Sequence, residues 1–444
     1  MSASELAGKF VEKALEKGFS DAAISIDIVE RVMVKFANTQ PSVVQEWKTA
    51  VANIYLSKGR RVFTGTFQLD KIGDADKLLG EVGLLIDRLS ESELYAPLPQ
   101  PGVRSGFYSR VDDKIVEAMK DPSELVELVL EASSREHNID FTAGKIDLWK
   151  RMRHLATSTG AQLVEESTGV ETYMRSFKED GSGQWGFASR ILDKRGIEEV
   201  ALKASELAYE SRGRSSVEPG VYDVILSPLV FSQLMNVIAW MSTGLSVLTG
   251  MSIFIDKKIG DQVASPLLSI YDAPRDDKLP FSTVFDDEAV ATFDKPIVEK
   301  GLLKNILHNT KTALKFNTKS TGNAGWVHPR PWNLVIEGGG FKLEELISEV
   351  KRGLLITNNW YTRLQNYAEG VFSTIGRDAI FLIESGRIVK PVERLRIADK
   401  LPRLLSNIEG LSRETYDVMW WEVRVPTRSP YALVRNVNIT KHFA

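Results

Sequence analysis

The chain has 444 residues, with 56 Lys and Arg against 59 Asp and Glu, so its formal net charge is −3. This near balance argues against a strongly basic nucleic-acid-binding protein and against a polyanionic tail. No cysteine is present, which excludes disulfides, thiol nucleophiles, cysteine-ligated zinc and iron–sulfur clusters. The length predicts two or three folded domains.

The chain begins with an amphipathic helix pattern. Ser2 and Glu5 form a predicted capping box, and Gly18 has the position of a helix C-cap. Apolar residues recur between them at helical spacing, so we predict a helix and not a signal peptide.

Two segments of the N-terminal half share one pattern, at residues 22–89 and 155–209. Each reads as strands, a polar hairpin turn, a glycine-containing strand and a closing amphipathic helix. The turns lie at residues 58–61 and 179–183. Few residues are identical, so from the residues alone a duplication and two unrelated hairpins both stay open.

A linker and a helix are predicted between the two repeated units. Residues 95–102 contain three prolines and a glycine, which cannot sustain a helix or a strand ladder. The next helix is predicted to run to Arg135, with Asp121 as N-cap and Pro122 at the first helical position.

A domain border is predicted where residues 211–220 turn small, polar and rich in Pro and Gly. The predicted fold class is α+β. Residues 1–215 form a domain of repeated β-hairpin/helix units, and residues 216–444 form a β-rich, barrel-like domain. Strands of the second domain are predicted at residues 221–226, 296–299, 333–336, 354–357, 379–384 and 419–425.

Residues 224–255 carry no charged residue, and this length would suffice for a membrane span. Polar and turn residues, among them Pro228, Gly244 and Gly250, divide the stretch into a helix of about four turns, a loop and a short strand. No basic cluster flanks it, so a buried helix is favoured over a membrane segment.

Catalytic motifs are scarce. No two of the five histidines lie within one helical turn, so neither a His-x-x-x-His face nor an H-E-x-x-H motif can form. A distant three-histidine assembly stays open, although isolated histidines are usually structural. Walker A, GxGxxG and Gly-x-Ser-x-Gly motifs are absent. The histidines are His137, His154, His308, His328 and His442.

Three adjacent acids follow Phe285, namely Asp286, Asp287 and Glu288. They could ligate a hard cation, as in a self-sufficient peptidase, or lie in a solvated turn. The solvated turn is favoured, because consecutive acids in a strand point alternately to opposite faces.

Residues 358–377 are dense in amides and aromatics and include two arginines. Such side chains offer donors and acceptors suited to a peptide or carbohydrate chain. A wet loop whose aromatics pack on the strands beneath explains them equally well.

Five runs in the C-terminal half occur in a characteristic order, at residues 285–292, 298–304, 320–324, 353–357 and 381–388. In these runs the chain resembles the TldD/PmbA (TldE) family, once described as modulators of DNA gyrase. The resemblance covers nearly the whole chain, and the repeated N-terminal units of that family match the pattern described above.

The resemblance implies a heterodimeric metallopeptidase with two kinds of subunit. The TldD kind carries an H-E-x-x-x-H helix that binds zinc, with a cysteine further on as another ligand. In this chain Asn236 and Met241 align with the two histidines and Val237 with the glutamate. These residue types supply neither an imidazole for zinc nor a carboxylate that activates water.

By this resemblance the chain is similar to the TldE/PmbA kind. We therefore expect a cytoplasmic subunit without a cofactor of its own, paired with a zinc-bearing TldD-type partner, so that any peptidase activity needs that partner. The expected substrates are unfolded or short peptides, held by main-chain pairing to a strand edge. The alternative is a non-enzymatic, homodimeric binding or regulatory protein. Neither a nucleic acid nor a membrane is an expected partner.

Four residues of the aromatic stretch are predicted to face substrate or a subunit interface: Tyr361, Arg363, Asn366 and Arg377. The arginines are suited to a peptide carboxylate.

Overall fold

The computed structural model describes residues 2–441, and His442 therefore lies outside the described residues. The N-terminal half contains α1 (Ala3–Glu16), β1 (Asp21–Ala37), β2 (Gln40–Lys58), β3 (Arg61–Gln68), α2 (Leu69–Ile72), α3 (Ala75–Ile86), β4 (Ser105–Arg110), α4 (Asp113–Lys120), α5 (Ser123–Arg135), β5 (Phe141–Thr157), β6 (Gln162–Lys178), β7 (Gly181–Ser189) and α6 (Lys194–Glu210).

The C-terminal half contains β8 (Gly220–Leu226), α7 (Pro228–Met241), α8 (Gly244–Leu248), β9 (Ile270–Asp272), β10 (Lys295–Glu299), β11 (Leu302–Leu303), α9 (Thr310–Lys315), β12 (Leu334–Ile336), α10 (Leu343–Ser348), β13 (Arg352–Asn366), β14 (Val371–Glu384), β15 (Arg387–Pro391), β16 (Leu395–Lys400), α11 (Leu401–Ser406), β17 (Ile408–Trp420) and β18 (Val423–Lys441).

The first sheet has the order β3-β2-β1-β5-β6-β4, and β7 also pairs with β6. Strands β1 and β5 meet antiparallel in the middle, so the meander β1–β2–β3 on one side is mirrored by β5–β6–β7 on the other. Two-residue turns join β2 to β3 and β6 to β7, and α3 and α6 close the two units. The predicted repeat is confirmed in the structure.

The second sheet closes on itself. Strands β8, β13, β14, β16 and β18 pair in that order, and β18 returns to pair with β8. A closed ring of strands has no free edge. The predicted barrel-like character of the C-terminal half is confirmed, as is the α+β fold class.

The charge-free helix is confirmed as a buried element. Helix α7 begins after the N-cap Ser227, whose side chain accepts the Val230 N–H, and has Pro228 in its first turn. Its side chains share one apolar core with strands of the barrel. A second apolar core contains residues of both sheets, such as Trp185 and Leu355, so the two halves pack directly on one another. Within residues 2–441, no helix is both long enough and apolar enough to cross a bilayer.

Three local predictions were wrong. Helix α5 begins at Ser123 with Pro122 as N-cap, one residue later than predicted, because the Pro122 carbonyl accepts the first helical N–H groups, those of Leu125 and Val126. The short strand expected after α7 is replaced by α8 and a turn. Residues 419–425 span the turn between β17 and β18 and not a single strand.

Candidate functional site between the two sheets

The three adjacent acids are buried and not solvated, so the solvated turn was the wrong interpretation. Asp286, Asp287 and Glu288 are 0%, 8% and 1% exposed. The alternation argument fails because the segment is a tight turn, with Ala289 at a φ of 59°, and not an extended strand. All three carboxylates therefore need partners within the protein.

Each carboxylate has its own set of donors. Asp286 accepts the backbone N–H groups of Glu288, Val290 and Ala324, each at 2.9 Å. Glu288 accepts Lys311 Nζ at 3.0 Å and the Thr310 N–H at 2.8 Å. The acids therefore bind protein groups. Within residues 2–441, no group of three or more His, Asp or Glu side chains has an arrangement that could hold a metal ion.

Asp286 has a strongly shifted pKa. Its burial, and after that the neighbouring charge of Glu288, raise the pKa of Asp286 to about 8, against the opposing effect of backbone N–H groups. Asp286 and Glu288 are therefore buried structural residues.

Asp287 links the two sheets. It pairs with Arg153 of β5, whose side chain is 1% exposed, and with Arg330, whose Nη2 lies 3.2 Å from each carboxylate oxygen. Arg153 also donates to the Phe285 carbonyl at 3.1 Å and to Ser25 Oγ at 3.2 Å. One carboxylate is thus shared by two guanidinium groups.

The loop that carries Arg330 is held at its backbone. The Arg330 N–H donates to the Asn323 carbonyl, and Asn323 Nδ2 donates to the Arg330 carbonyl, both at 2.9 Å. Asn323 is fully buried, and its amide also donates to Asp272 Oδ2 at 2.6 Å. The runs at residues 285–292 and 320–324 therefore form one polar network that positions the loop.

A cleft of about 430 Å³ lies between this loop and the first sheet. Asp27 and Arg151 line it from the first sheet, Trp240 from the end of α7, and His328 and Arg330 from the loop. Arg151 donates through Nε to Asp27 Oδ1 at 2.7 Å. The rings of Trp240 and His328 stack with their centroids 5.4 Å apart. The cleft combines fixed charges with an aromatic wall, as ligand sites do.

A larger groove of about 710 Å³ lies between α6 and β17. In this groove Arg428 is paired with Asp417 at 2.7 Å and Asp276 at 2.8 Å, and the exposed Arg195 also lines it. The cleft between the sheets brings together the first sheet, the end of α7 and the loop that carries Arg330, and it is the candidate site.

The aromatic stretch at residues 358–377 is part of a strand pair and not a wet loop. Its base is a buried polar cluster around Asp378, which lies next to the stretch. Asp378 accepts Arg377 Nε at 3.1 Å, Asn358 Nδ2 at 2.6 Å and, from the first sheet, Arg175 Nε at 2.7 Å. The neighbouring guanidinium groups help to hold the pKa of Asp378 below its usual value despite its burial.

The four residues predicted in this stretch are in three different environments. Tyr361 is 48% exposed, and the Arg363 guanidinium lies 4.3 Å from its ring centroid. Asn366 closes the hairpin turn, accepting the Glu369 N–H at 3.0 Å. Arg377 is mostly buried beside Asp378. The structure thus brings Tyr361 and Arg363 together, while the Arg377 guanidinium lies 5.5 Å from the ring centroid of the neighbouring Trp360.

The α7 positions aligned with a zinc motif have structural partners. Asn236 Nδ2 donates to Thr427 Oγ1 at 2.9 Å, and its Oδ1 accepts the Val425 N–H at 2.8 Å. Val237 packs against the apolar core, and Met241 lies inside it. An engaged amide and two apolar side chains do not fit a zinc site of two imidazoles and a carboxylate.

Sequence reasoning missed Arg153, Arg330 and Trp240. The only signal was indirect: residues 320–324, which end just before the loop, were recognised as a run but without a role. Arg153 and Asp287 are 134 positions apart, and no local pattern relates them.

The seven-stranded meander sheet packed on a closed barrel, with a polar cleft between them, defines a two-sheet α+β protein. Comparison with known proteins identifies the family within this class. The PmbA/TldA metallopeptidase C-terminal domain matches residues 219–441, and the central domain of the same family matches residues 117–212. The chain belongs to the PmbA/TldD family.

Individual relatives and a solved structure support this assignment to the family. TldE from Thermococcus kodakarensis has the same fold, with a TM-score of 0.84, 20% identity and coverage of 97% of this chain and 99% of that one. A metalloprotease of Methanocaldococcus jannaschii is 27% identical over 271 residues, which is 58% of this chain and 59% of the relative. Metalloprotease PmbA of Escherichia coli O157:H7 is 33% identical over 161 residues, 35% of this chain and 33% of the relative. The chain thus matches only a third to three fifths of these curated relatives' length.

Proposed function

We propose that this chain is the TldE-like, non-metal-binding subunit of a heterodimeric zinc metallopeptidase that degrades unfolded or short peptides. In this assembly the zinc belongs to a TldD-type partner with an H-E-x-x-x-H helix, and the assembly is cytoplasmic. No catalytic residue and no cofactor is assigned to this chain.

The observation that carries the proposal is the engagement of Asn236. Its side-chain oxygen accepts a hydrogen bond from β18 and its nitrogen donates one to β18. The family resemblance aligns this position with the first histidine of the zinc-binding kind. A side chain used in this way stabilises the packing of α7 against the barrel, and an amide is not among the Cys, His, Asp and Glu ligands with which proteins bind zinc. The helix is retained as a structural element.

This subunit would contribute a surface and not a reaction centre. The exposed pair Tyr361 and Arg363 is proposed to face peptide or partner, because arginine and tyrosine are enriched at interface cores. Asn366 shapes the adjacent turn, and Arg377 is proposed to act through Asp378 by holding the base of the hairpin.

A tagged pull-down from the native lysate tests the proposal, with zinc and peptidase assays on the eluted material. Recovery of a zinc-bearing H-E-x-x-x-H paralogue, with peptide cleavage that the isolated chain lacks, is the expected result. The isolated chain, purified in the same buffer, is the matched control. Recovery of a metal-free, inactive homodimer would instead support a binding or regulatory protein.

A further inference from the structure

We infer that the cleft between the two sheets binds the free carboxylate of a short peptide, and that Arg330 is the residue that takes it. This inference goes beyond the proposed function, because it requires neither zinc nor a partner subunit. It depends only on residues of this chain.

Arg330 is presented to the cleft in a fixed position. Its backbone is held from both sides by Asn323, and its guanidinium carbon lies 4.6 Å from the Trp332 ring centroid. The side chain nevertheless stays 46% exposed. A guanidinium group that is oriented but accessible loses little conformational freedom on binding an anion.

Arg330 also has unused donors. Within residues 2–441, the side-chain hydrogen bonds of Arg330 to protein all come from Nη2, to Asp287. A guanidinium group has five N–H donors in a planar fork, which matches the two oxygens of a carboxylate. The remaining edge of the fork is available to a ligand.

The nearby carboxylates do not occupy the remaining N–H donors of Arg330. Asp287 is shared between Arg330 and the buried Arg153, and Asp27 is paired with Arg151. Glu165 of β6 accepts Thr283 Oγ1 at 2.6 Å and the Val284 N–H at 3.0 Å, so it too is engaged by protein groups. An added carboxylate would give Arg330 a full partner of its own.

The aromatic rings that line the cleft determine which kind of side chain can bind beside the carboxylate. Trp240 stacked on His328 offers a flat face beside Arg330, and Trp326 packs near Tyr55 with centroids 5.9 Å apart. Such faces bury apolar or aromatic side chains. The volume of about 430 Å³ lies within the roughly 300–1,000 Å³ of ordinary ligand pockets, and favours a peptide end over a folded protein.

The test is titration calorimetry on the isolated full-length chain with three probes. These are N-acetyl-Ala-Phe with a free carboxylate, the same peptide as its C-terminal amide, and 3-phenylpropionate. We expect the acid to bind at least about tenfold more tightly than the amide, because a charge-assisted, bidentate contact is lost in the amide. Equal binding of acid and amide would overturn the inference, and so would 3-phenylpropionate binding as tightly as the peptide.

Variants assign the effect to Arg330. Arg330→Gln should abolish the preference for the acid, whereas Arg330→Lys, which keeps the charge without the fork, should retain part of it. Arg88→Gln, at an exposed arginine after α3, is the matched control and should bind like the wild type. A preference that survives Arg330→Gln would contradict the assignment. Failure to recover a partner subunit would leave this test unaffected.

Discussion

Arg153 and Asp287 form a buried ion pair that joins the first sheet to the segment between β9 and β10. Their side chains are 1% and 11% exposed. A buried pair of this kind contributes little net stability compared with an apolar pair, but the loss of one member leaves a charge without compensation. The pair therefore fixes how the two sheets meet and, through Arg330, the shape of the cleft.

Asp287→Asn is expected to lower the free energy of unfolding by about 3–5 kcal/mol, because it leaves the buried Arg153 guanidinium without its carboxylate. Urea denaturation measures this loss. Asp87→Asn is the matched control: Asp87 is more than half exposed and pairs with Lys58 at 3.0 Å, and exposed pairs are worth about 1 kcal/mol or less. Equal losses for both variants would contradict a positioning role for Asp287.

Asn236→Ala is expected to lower the free energy of unfolding by about 1–3 kcal/mol, since it leaves the Val425 N–H on β18 without its acceptor. Thermal or urea unfolding gives the value. Ser232→Ala, one turn earlier, is the contrast, because its buried hydroxyl has no hydrogen-bond partner among the residues described. That change should be neutral to within about 0.5 kcal/mol or stabilising. Were Asn236→Ala equally neutral, the structural role of the amide would be wrong.

His308 contributes stability that should be lost in mild acid, opposite in sign to the contribution of Asp286, whose raised pKa favours the folded state in that range. Burial lowers the pKa of His308 from 6.5 to about 4, so between these values the unfolded chain binds a proton that the folded chain does not. The contribution is fully present above pH 6.5 and is lost as pH falls toward 4, on the order of 3 kcal/mol in total. The difference in urea-derived stability between the wild type and His308→Gln should therefore decrease by this amount as pH falls from 6.5 to 4. Above pH 6.5 the two curves should run parallel, which serves as the internal control.

Substitutions at Arg363 and Arg377 should differ in their effects on stability and on peptide cleavage. Arg377→Ala is expected to lower stability, because it removes one guanidinium group from the fully buried Asp378. Arg363 lies at an exposed position, so Arg363→Ala should change the free energy of unfolding by no more than about 0.5 kcal/mol. The same substitution should reduce peptide cleavage by the reconstituted pair of subunits. If the double variant cleaved peptide at the wild-type rate, neither arginine would have the proposed role.

The architecture was largely predictable from local signals. The hairpin turns and the periodic apolar residues of the repeated units were visible in the chain, because turn chemistry and strand alternation depend on neighbours in sequence. Helix α7 was predictable for the same reason, from a cap, a proline and an apolar run. Element boundaries were predicted less well, and α5 begins one residue later than the capping pattern at Asp121 indicated.

The sequence by itself determined the α+β class, the strand, turn and helix pattern of the two N-terminal units, and the absence of cysteine chemistry. Only the tertiary structure decided that Asp286, Asp287 and Glu288 are buried, and that Asp287 meets Arg153 and Arg330. Periodicity reports which face of an element is apolar, but not which distant charge lies opposite it. The cleft exists because the two sheets pack on each other, and that packing depends on contacts between residues far apart in the chain.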